Sequence, residues 1–379
     1  MPNKKLSRTV KFATTALAMG VASQASAISF DAGDAKVDIY GYARLNAVYD
    51  IDEQISIASG TQSGDFSKIN TGAAEDNEPT GYFDTDAVQS RIGVRTSLPT
   101  GVKVTIEGDF RGGSTGGVLR LRHAYGQYKN WTLGQTWSNY TSFVGSTSVL
   151  EFDGVAGNAG LQARRAQARY TNGPLSFSVE DATTRIVGAT PKNGLPAFTA
   201  RFENKAGMLA FSTAAVVQQV GYDDGVNDDS AFGYGVFGSA KLSLTDSFSI
   251  QGTINYTDGA NGYLWRSGSN YYGEDAYVVN GDVETIKGIG GNIGASLKAA
   301  GGTFNLVAGM TDMDWDDAQN DGVAVGDKHE RNTNAFINYQ WAPVQNVTMG
   351  VQYGYFKTEE VDGDDGDASR VMFAAQYNF

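Results

Sequence analysis

The sequence predicts an all-β chain closed into a transmembrane antiparallel β-barrel of about 16 strands, and three observations carry that reading. Apolar residues alternate with polar or small ones through nearly the whole length, the two-residue period of strands with unlike faces. At the N-terminus, Lys4, Lys5, Arg8 and Lys11 precede a short apolar run, 12–22, and a small-x-small site at Ala25-Ser26-Ala27. Residues 1–27 therefore read as an export signal, too short in its apolar part to anchor a chain in a bilayer. Beyond it no apolar stretch approaches 18 residues. An exported chain that enters a membrane without such a helix must pair every backbone group between strands, and a closed barrel does so.

Composition agrees. The 379 residues include 48 Gly, 19 Tyr and 19 Phe but only 7 Pro and no Cys, so no disulfide framework supports the exported domain, 28–379. Removing the signal takes away four positive charges and moves the formal net charge from −13 to −17. That acidity, with no basic surface interleaved with aromatics, argues against a nucleic-acid partner. A soluble periplasmic binding protein would alternate helices with strands, and helical periodicity is nearly absent.

The first strand covers 37–49, where Val37, Ile39, Gly41, Ala43, Leu45, Ala47 and Tyr49 alternate with Asp38, Tyr40, Tyr42, Arg44, Asn46 and Val48. Alternating runs continue near 87–98, 102–111, 118–128, 131–138, 161–171, 175–185 and 197–205. Eight more lie near 208–220, 231–244, 247–257, 283–298, 303–313, 331–342, 346–358 and 369–379. Short connectors at 98–101, 129–130, 172–174, 205–207, 245–246, 299–302 and 343–345 carry turn formers such as Gly, Pro, Asn and Asp. Longer ones at 51–84, 139–160, 221–230, 259–282, 314–330 and 359–368 fall between them. Short turns at one rim and long loops at the other are the pattern of an outer-membrane barrel. In the last strand Val371, Phe373, Ala375, Tyr377 and Phe379 share one face. This ending resembles the C-terminal assembly signal of bacterial outer-membrane barrels, with Tyr377 and Phe379 as its aromatics. The resemblance implies the outer membrane, its lipopolysaccharide and the barrel assembly machinery as surroundings.

Charge falls on the inward face. On the strand near 102–111, Val102, Val104, Ile106 and Phe110 point one way while Lys103, Glu107, Asp109 and Arg111 point the other. Arg44, Arg91, Arg95, Arg120, Arg122, Arg165 and Arg169 sit mostly opposite the apolar set. An arginine facing lipid near the midplane costs about 2–4 kcal/mol, so these side chains belong in the lumen. Seven guanidiniums need water and counter-anions around them, which a hydrated pore supplies. They either set its selectivity or pair with Glu107 and Asp109 to hold the wall. His123 falls on the outward face between Leu121 and Tyr125, a position that either burial against a neighbouring subunit or local partners at the membrane interface would relieve.

The loop at 139–160 follows the fifth strand and carries Leu150-Glu-Phe-Asp-Gly154, which resembles the loop that folds into the lumen of general trimeric porins. The resemblance implies that Glu151 and Asp153, flanking Phe152, face Arg44, Arg91, Arg120, Arg122 and Arg165 across a constriction. A finer likeness covers 37–180. Tyr40-Gly-Tyr-Ala-Arg-Leu45 is followed in order by Ser90-Arg-Ile-Gly-Val-Arg95, Ile106-Glu-Gly-Asp-Phe110, Leu119-Arg-Leu-Arg-His-Ala-Tyr-Gly126, Gly134-Gln-Thr-Trp-Ser138 and Gln167-Ala-Arg-Tyr-Thr171. This block resembles the DcaP-like porins of Gram-negative bacteria. The family implies a homotrimer of sixteen-stranded channels taking up small anionic solutes, aliphatic or aromatic dicarboxylates among them. Some relatives carry a coiled-coil extension before the barrel. Here only 28–36 precede the first strand, so a trimer is expected to be held by the barrel walls.

Other readings fare worse. A hydrolase needs a nucleophile and base or poised paired acids, but only His123 and His329 exist, and no Gly-x-Ser-x-Gly motif is present. Glu107 and Asp109 mimic an acid pair, yet arginines around them would keep both ionised. No cofactor or metal-binding motif stands out. The acidic runs 223–229, 312–317 and 362–367 offer oxygen ligands without full EF-hand spacing, and read as solvated, mutually repelling loop tips. A non-conducting structural or adhesive barrel is the remaining alternative, and conductance separates it from a pore.

Overall fold

The computed structural model describes residues 27–379; all of the expected export signal except Ala27 lies outside the described residues. Sixteen antiparallel strands form the wall. They are β1 (Ala35–Asp50), β2 (Tyr82–Asp86 with Arg91–Ser97), β3 (Lys103–Gly112), β4 (Val118–Tyr128), β5 (Trp131–Trp137), β6 (Arg164–Asn172), β7 (Leu175–Glu180) and β8 (Ala197–Ala206). The second half comprises β9 (Leu209–Asp223), β10 (Asp228–Ser243), β11 (Phe248–Asp258), β12 (Lys287–Ala299), β13 (Gly302–Asp314), β14 (His329–Trp341), β15 (Val347–Glu360) and β16 (Asp365–Asn378). Each strand pairs with its neighbours in sequence, and β16 returns to β1 from Tyr42↔Asn378 to Asp50↔Arg370, which closes the sheet. A short strand, Ile28–Ala32, folds back on the start of β1. No helix among the described residues is long and apolar enough to cross a membrane.

The wall departs from the sequence expectation in a few places. The strand expected at 175–185 stops at Glu180, because 181–196 leaves the wall as an outer loop. The run expected at 283–298 enters the wall only at Lys287. Its first part, Asp282–Thr285, joins Ala276–Val279 and Ile186–Val187 in a separate three-stranded sheet built from two outer loops. Two expected long loops shrink to 224–227 and 361–364, because their acidic flanks still pair, Asp223 with Asp228 and Glu359 with Asp365.

Ile106, Leu133, Ile254, Ile293, Leu306 and Ile337 are exposed on the outer face, as a lipid-facing wall requires. Inside, the two sides of the barrel differ. From β11 to β15 the inward positions carry amides: Gln251, Asn255, Asn292, Asn334, Asn338, Gln340 and Gln352 are all buried. The loop 138–163 lies on this side and takes its backbone hydrogen bonds from it. Ala156 N donates to Asn334 Oδ1 at 2.9 Å, Gly160 N to Asn255 Oδ1 at 3.1 Å and Leu150 N to Gln352 Oε1 at 2.8 Å. Asn255 and Asn338 donate back to Gly157 O and Ser148 O. A folded-in loop has no strand partner, so side-chain amides satisfy its backbone without adding charge. Contact is close enough to demand glycine: a Cβ on Gly309 would lie 2.2 Å from Ala156 O, and one on Gly157, at φ +69°, 2.3 Å from Gly291 N.

The first outer loop, 51–81, also enters the lumen. Its Ile55, Phe66 and Ile69 form a dry cluster with Val155 and with Val307, Phe336, Phe356 and Ala368 of the wall. One side of the lumen is thereby filled. Open space remains against the opposite wall, where the side chains of Arg120 and Arg91 keep 37% and 21% of their surface.

Candidate functional site

The alternation of β2, β3 and β4 turns Arg91, Glu107, Asp109, Arg120 and Arg122 toward that open side. Asp109 accepts two bonds from Arg120, at 3.0 and 2.8 Å, and one from Arg122 at 2.9 Å. Glu107 accepts from Arg122 Nε at 2.8 Å and from the Tyr40 hydroxyl at 3.0 Å. Arg91 Nε stands 3.3 Å from Glu107 Oε1 but without hydrogen-bond alignment. Arg164, at the start of β6, lies within electrostatic reach of Arg91, Arg120 and Arg122, its guanidinium 4.0 Å from the Trp137 ring centre. Four guanidiniums against two carboxylates leave a local surplus of two positive charges. The Nε atoms of Arg91, Arg164, Arg165 and Arg169 are buried with no protein acceptor.

The other expected pore residues are dispersed. Arg44 turns to the folded-in loop, donating to Leu150 O at 3.1 Å and Asn46 Oδ1 at 2.8 Å. Arg95 stacks on Tyr40, 4.8 Å from its centre. Arg165 lies near Tyr263 and Tyr272, and Arg169 near Arg201 and Glu180. Tyr377 is exposed on the outer face, and Phe379 exchanges both backbone bonds with Gly41 at 3.0 Å.

Two expectations are corrected. Glu151 and Asp153 do not face the arginines of β1, β2, β4 and β6. Asp153 is held bidentately by Arg111, both bonds 3.1 Å, and accepts from Ser63 at 2.6 Å and Tyr271 at 3.2 Å. Glu151 accepts from Ser63 and from Gly64 N at 2.9 Å, with Arg370 and Arg266 at 3.8 and 3.9 Å. Phe152 lies under Arg111, 4.6 Å from its guanidinium. Arg266 and Arg370 were missed because one lies on a distant loop and the other on the last strand. Together with Asp50, which Arg370 binds at 2.7 Å, three arginines balance three acids in this buried lock. Burial raises both carboxyls, but the Arg111 and then the Arg266 guanidinium hold that of Asp153 below the usual range, whereas that of Glu151 stays raised despite Arg370 and Arg266.

The second correction concerns His123. A register shift pairs Glu107 with His123 but Gly108 with Leu121, so β4 bulges at Arg122 and the faces swap beyond it. His123 therefore turns inward, its Nδ1 3.1 Å from Thr136 Oγ1 and its ring against Trp137, and needs no neighbouring subunit for shelter.

The acidic run at 223–229 serves its own turn: Asp223 pairs with Lys192 and Asp224 accepts from Val226 N and Asn227 N at 2.8 Å. No group of three or more His, Cys, Asp or Glu among the described residues is arranged to hold a metal ion. The outer loops also bury Asp275, whose oxygens accept from Gly262 N and Arg185 N at 2.8 Å. Burial pushes its carboxyl up to about 7, against only these amides and the Arg185 charge. A carboxyl raised on folding stabilises most fully below its unfolded pKa near 4 and loses that contribution as pH rises through about 7. Amide exchange in 275–286, corrected for intrinsic rates, is expected to quicken from pH 5 to 8, and Asp275→Asn to flatten the dependence. A wild-type profile already flat over this range would refute the prediction.

A family model described as DcaP outer membrane protein matches residues 14–379. Among solved structures, the outer membrane channel DcaP of Acinetobacter baumannii is 27% identical, with 92% of this chain and 99% of that chain covered at a TM-score of 0.79. An anion-selective porin from Comamonas acidovorans shares the fold at 14% identity, covering 91% of this chain and 100% of its own, with a TM-score of 0.57. OmpT of Vibrio cholerae does so at 10% identity, 93% and 100% coverage and a TM-score of 0.57. No curated protein sequence matches.

Proposed function

The chain belongs to the DcaP outer membrane protein family, and we propose that this outer-membrane channel passes small hydrophilic solutes with a preference for anions. The observation that carries the preference is the cluster of Arg91, Arg120, Arg122 and Arg164 beside the open lumen, with its surplus of two positive charges and its unpartnered guanidinium nitrogens. A low-dielectric wall around such a surplus focuses its field into the pore and raises local anion concentration. Guanidinium forks suit carboxylates, and two forks a few ångströms apart suit a small dicarboxylate. Arg95, Arg165 and Arg169 extend positive charge along the same wall, and Arg44 fastens the plug instead. The net acidity of the mature chain lies mostly in outer loops, where physiological salt screens it over a Debye length of about 8 Å. We assign a homotrimer to this channel, as the family resemblance implies, with residues 1–27 removed on export.

The test is the reversal potential of the exported protein in a planar bilayer under a salt gradient, followed by titration with a small dicarboxylate. Anion selectivity with concentration-dependent block is the expected result. Cation selectivity would overturn the preference, and absence of conductance would favour a structural barrel.

A further inference from the structure

We propose that Glu53, Glu78 and Asn70 of the first outer loop form a binding site for a single hard divalent cation, Ca²⁺ or Mg²⁺, which fixes the base of the loop that fills one side of the lumen. The Glu53 and Glu78 carboxylates are neighbours. Both are tied to one residue: Asn70 N donates to Glu53 Oε1 at 2.9 Å and Asn70 Nδ2 to Glu78 Oε2 at 3.0 Å. Glu53 is only 5% exposed, and its second oxygen, Oε2, is buried without any protein partner. A buried carboxylate oxygen left without a partner is costly, and a ligand would relieve that cost.

The surroundings favour a cation over other ligands. Glu75 and Asp367 interact with Glu78, and with Asp52 and Asp365 nearby they add to the negative field. Lys357 interacts with Asp367 at the edge of this group and is itself paired with Asp365 at 2.8 Å and Glu359 at 3.4 Å. Two carboxylates, an amide oxygen after rotation of the Asn70 side chain, and water satisfy the oxygen chemistry of a hard ion without a third acid. The link to the pore is through the chain: the same loop sends Ile55 and Phe66 into the lumen and Ser63 to Glu151 and Asp153.

The experiment titrates CaCl₂, and separately MgCl₂, into EDTA-washed, detergent-solubilised protein at pH 7.5 by calorimetry, for wild type, Glu53→Gln and Glu78→Gln. Resistance of the folded band to sodium dodecyl sulfate at room temperature confirms that each variant is a closed barrel. One saturable ion per chain is expected, with a dissociation constant on the order of 10⁻⁴–10⁻³ M and at least tenfold weaker binding in either variant. Wild-type affinity in both folded variants would put the ion on other acidic loops and overturn the proposal. No binding to wild type, with a thermal midpoint that rises on acidification from pH 8 to 6 instead, would assign the pair to a shared proton and overturn it equally.

Discussion

Removing Arg120 and Arg122 together should abolish anion preference. Apart from the Arg111 backbone N–H, the pair supplies every donor to Asp109, and it supplies the aligned guanidinium bond to Glu107, so its loss leaves Arg91 and Arg164 against two carboxylates. The local surplus of two charges becomes zero. A unit charge about 4 Å from a permeating ion contributes roughly 1 kcal/mol even in bulk water, or about fivefold in local concentration, before salt screening. The reversal potential of Arg120→Ala/Arg122→Ala under a salt gradient should therefore fall to near zero or reverse sign, most clearly at low salt. Selectivity equal to wild type would place the filter elsewhere in the lumen.

The second large effect is expected from Arg370→Ala, and it falls on stability and current noise rather than on selectivity. Arg370 is 1% exposed; it binds Asp50 at 2.8 Å through Nε, Gln62 O at 3.0 Å and Ser56 Oγ at 2.7 Å, and faces Glu151 at 3.8 Å. Its loss leaves two buried acids short of a cation, a change that costs about 3–5 kcal/mol when one partner of a buried pair is deleted. The thermal midpoint in detergent should drop by several degrees. Single-channel traces should show rapid substates as the folded-in loops loosen. A quiet trace with an unchanged midpoint would mean that Arg111 and Arg266 hold the lock by themselves.

Much of the wall was legible in the sequence because a two-residue period leaves a strand only two faces, one of which must be apolar where lipid touches it. The inward arginines of β2 and β4 follow from that constraint alone. What periodicity cannot register is an inserted residue: the bulge at Arg122 swaps the faces of β4, and small Ala124 and Gly126 beyond it carry no contrast to reveal the swap. The partners of Glu151 and Asp153 were hidden for a different reason. Arg266 lies on a loop and Arg370 on the far end of the chain, and no local pattern links residues so distant. A readable signal was present, however, in the recurring Asn and Gln of β11 to β15. Uncharged hydrogen-bonding side chains on consecutive inward positions mark a wall that supports a folded-in loop, whereas arginines mark the wall that water reaches.

The bond between Asp50 and Arg370 crosses the seam where β1 meets β16, between residues 320 positions apart. Joining ends that distant carries about 2–3 kcal/mol more chain entropy than closing a hairpin of some twenty residues. Such a contact forms late in assembly, after the neighbouring hairpins have drawn the two edges together. The same guanidinium grips Gln62 O and Ser56 of the plug. Sealing the cylinder and seating the folded-in loop therefore share one guanidinium, so the loop is tied to the wall at the very seam where the barrel closes.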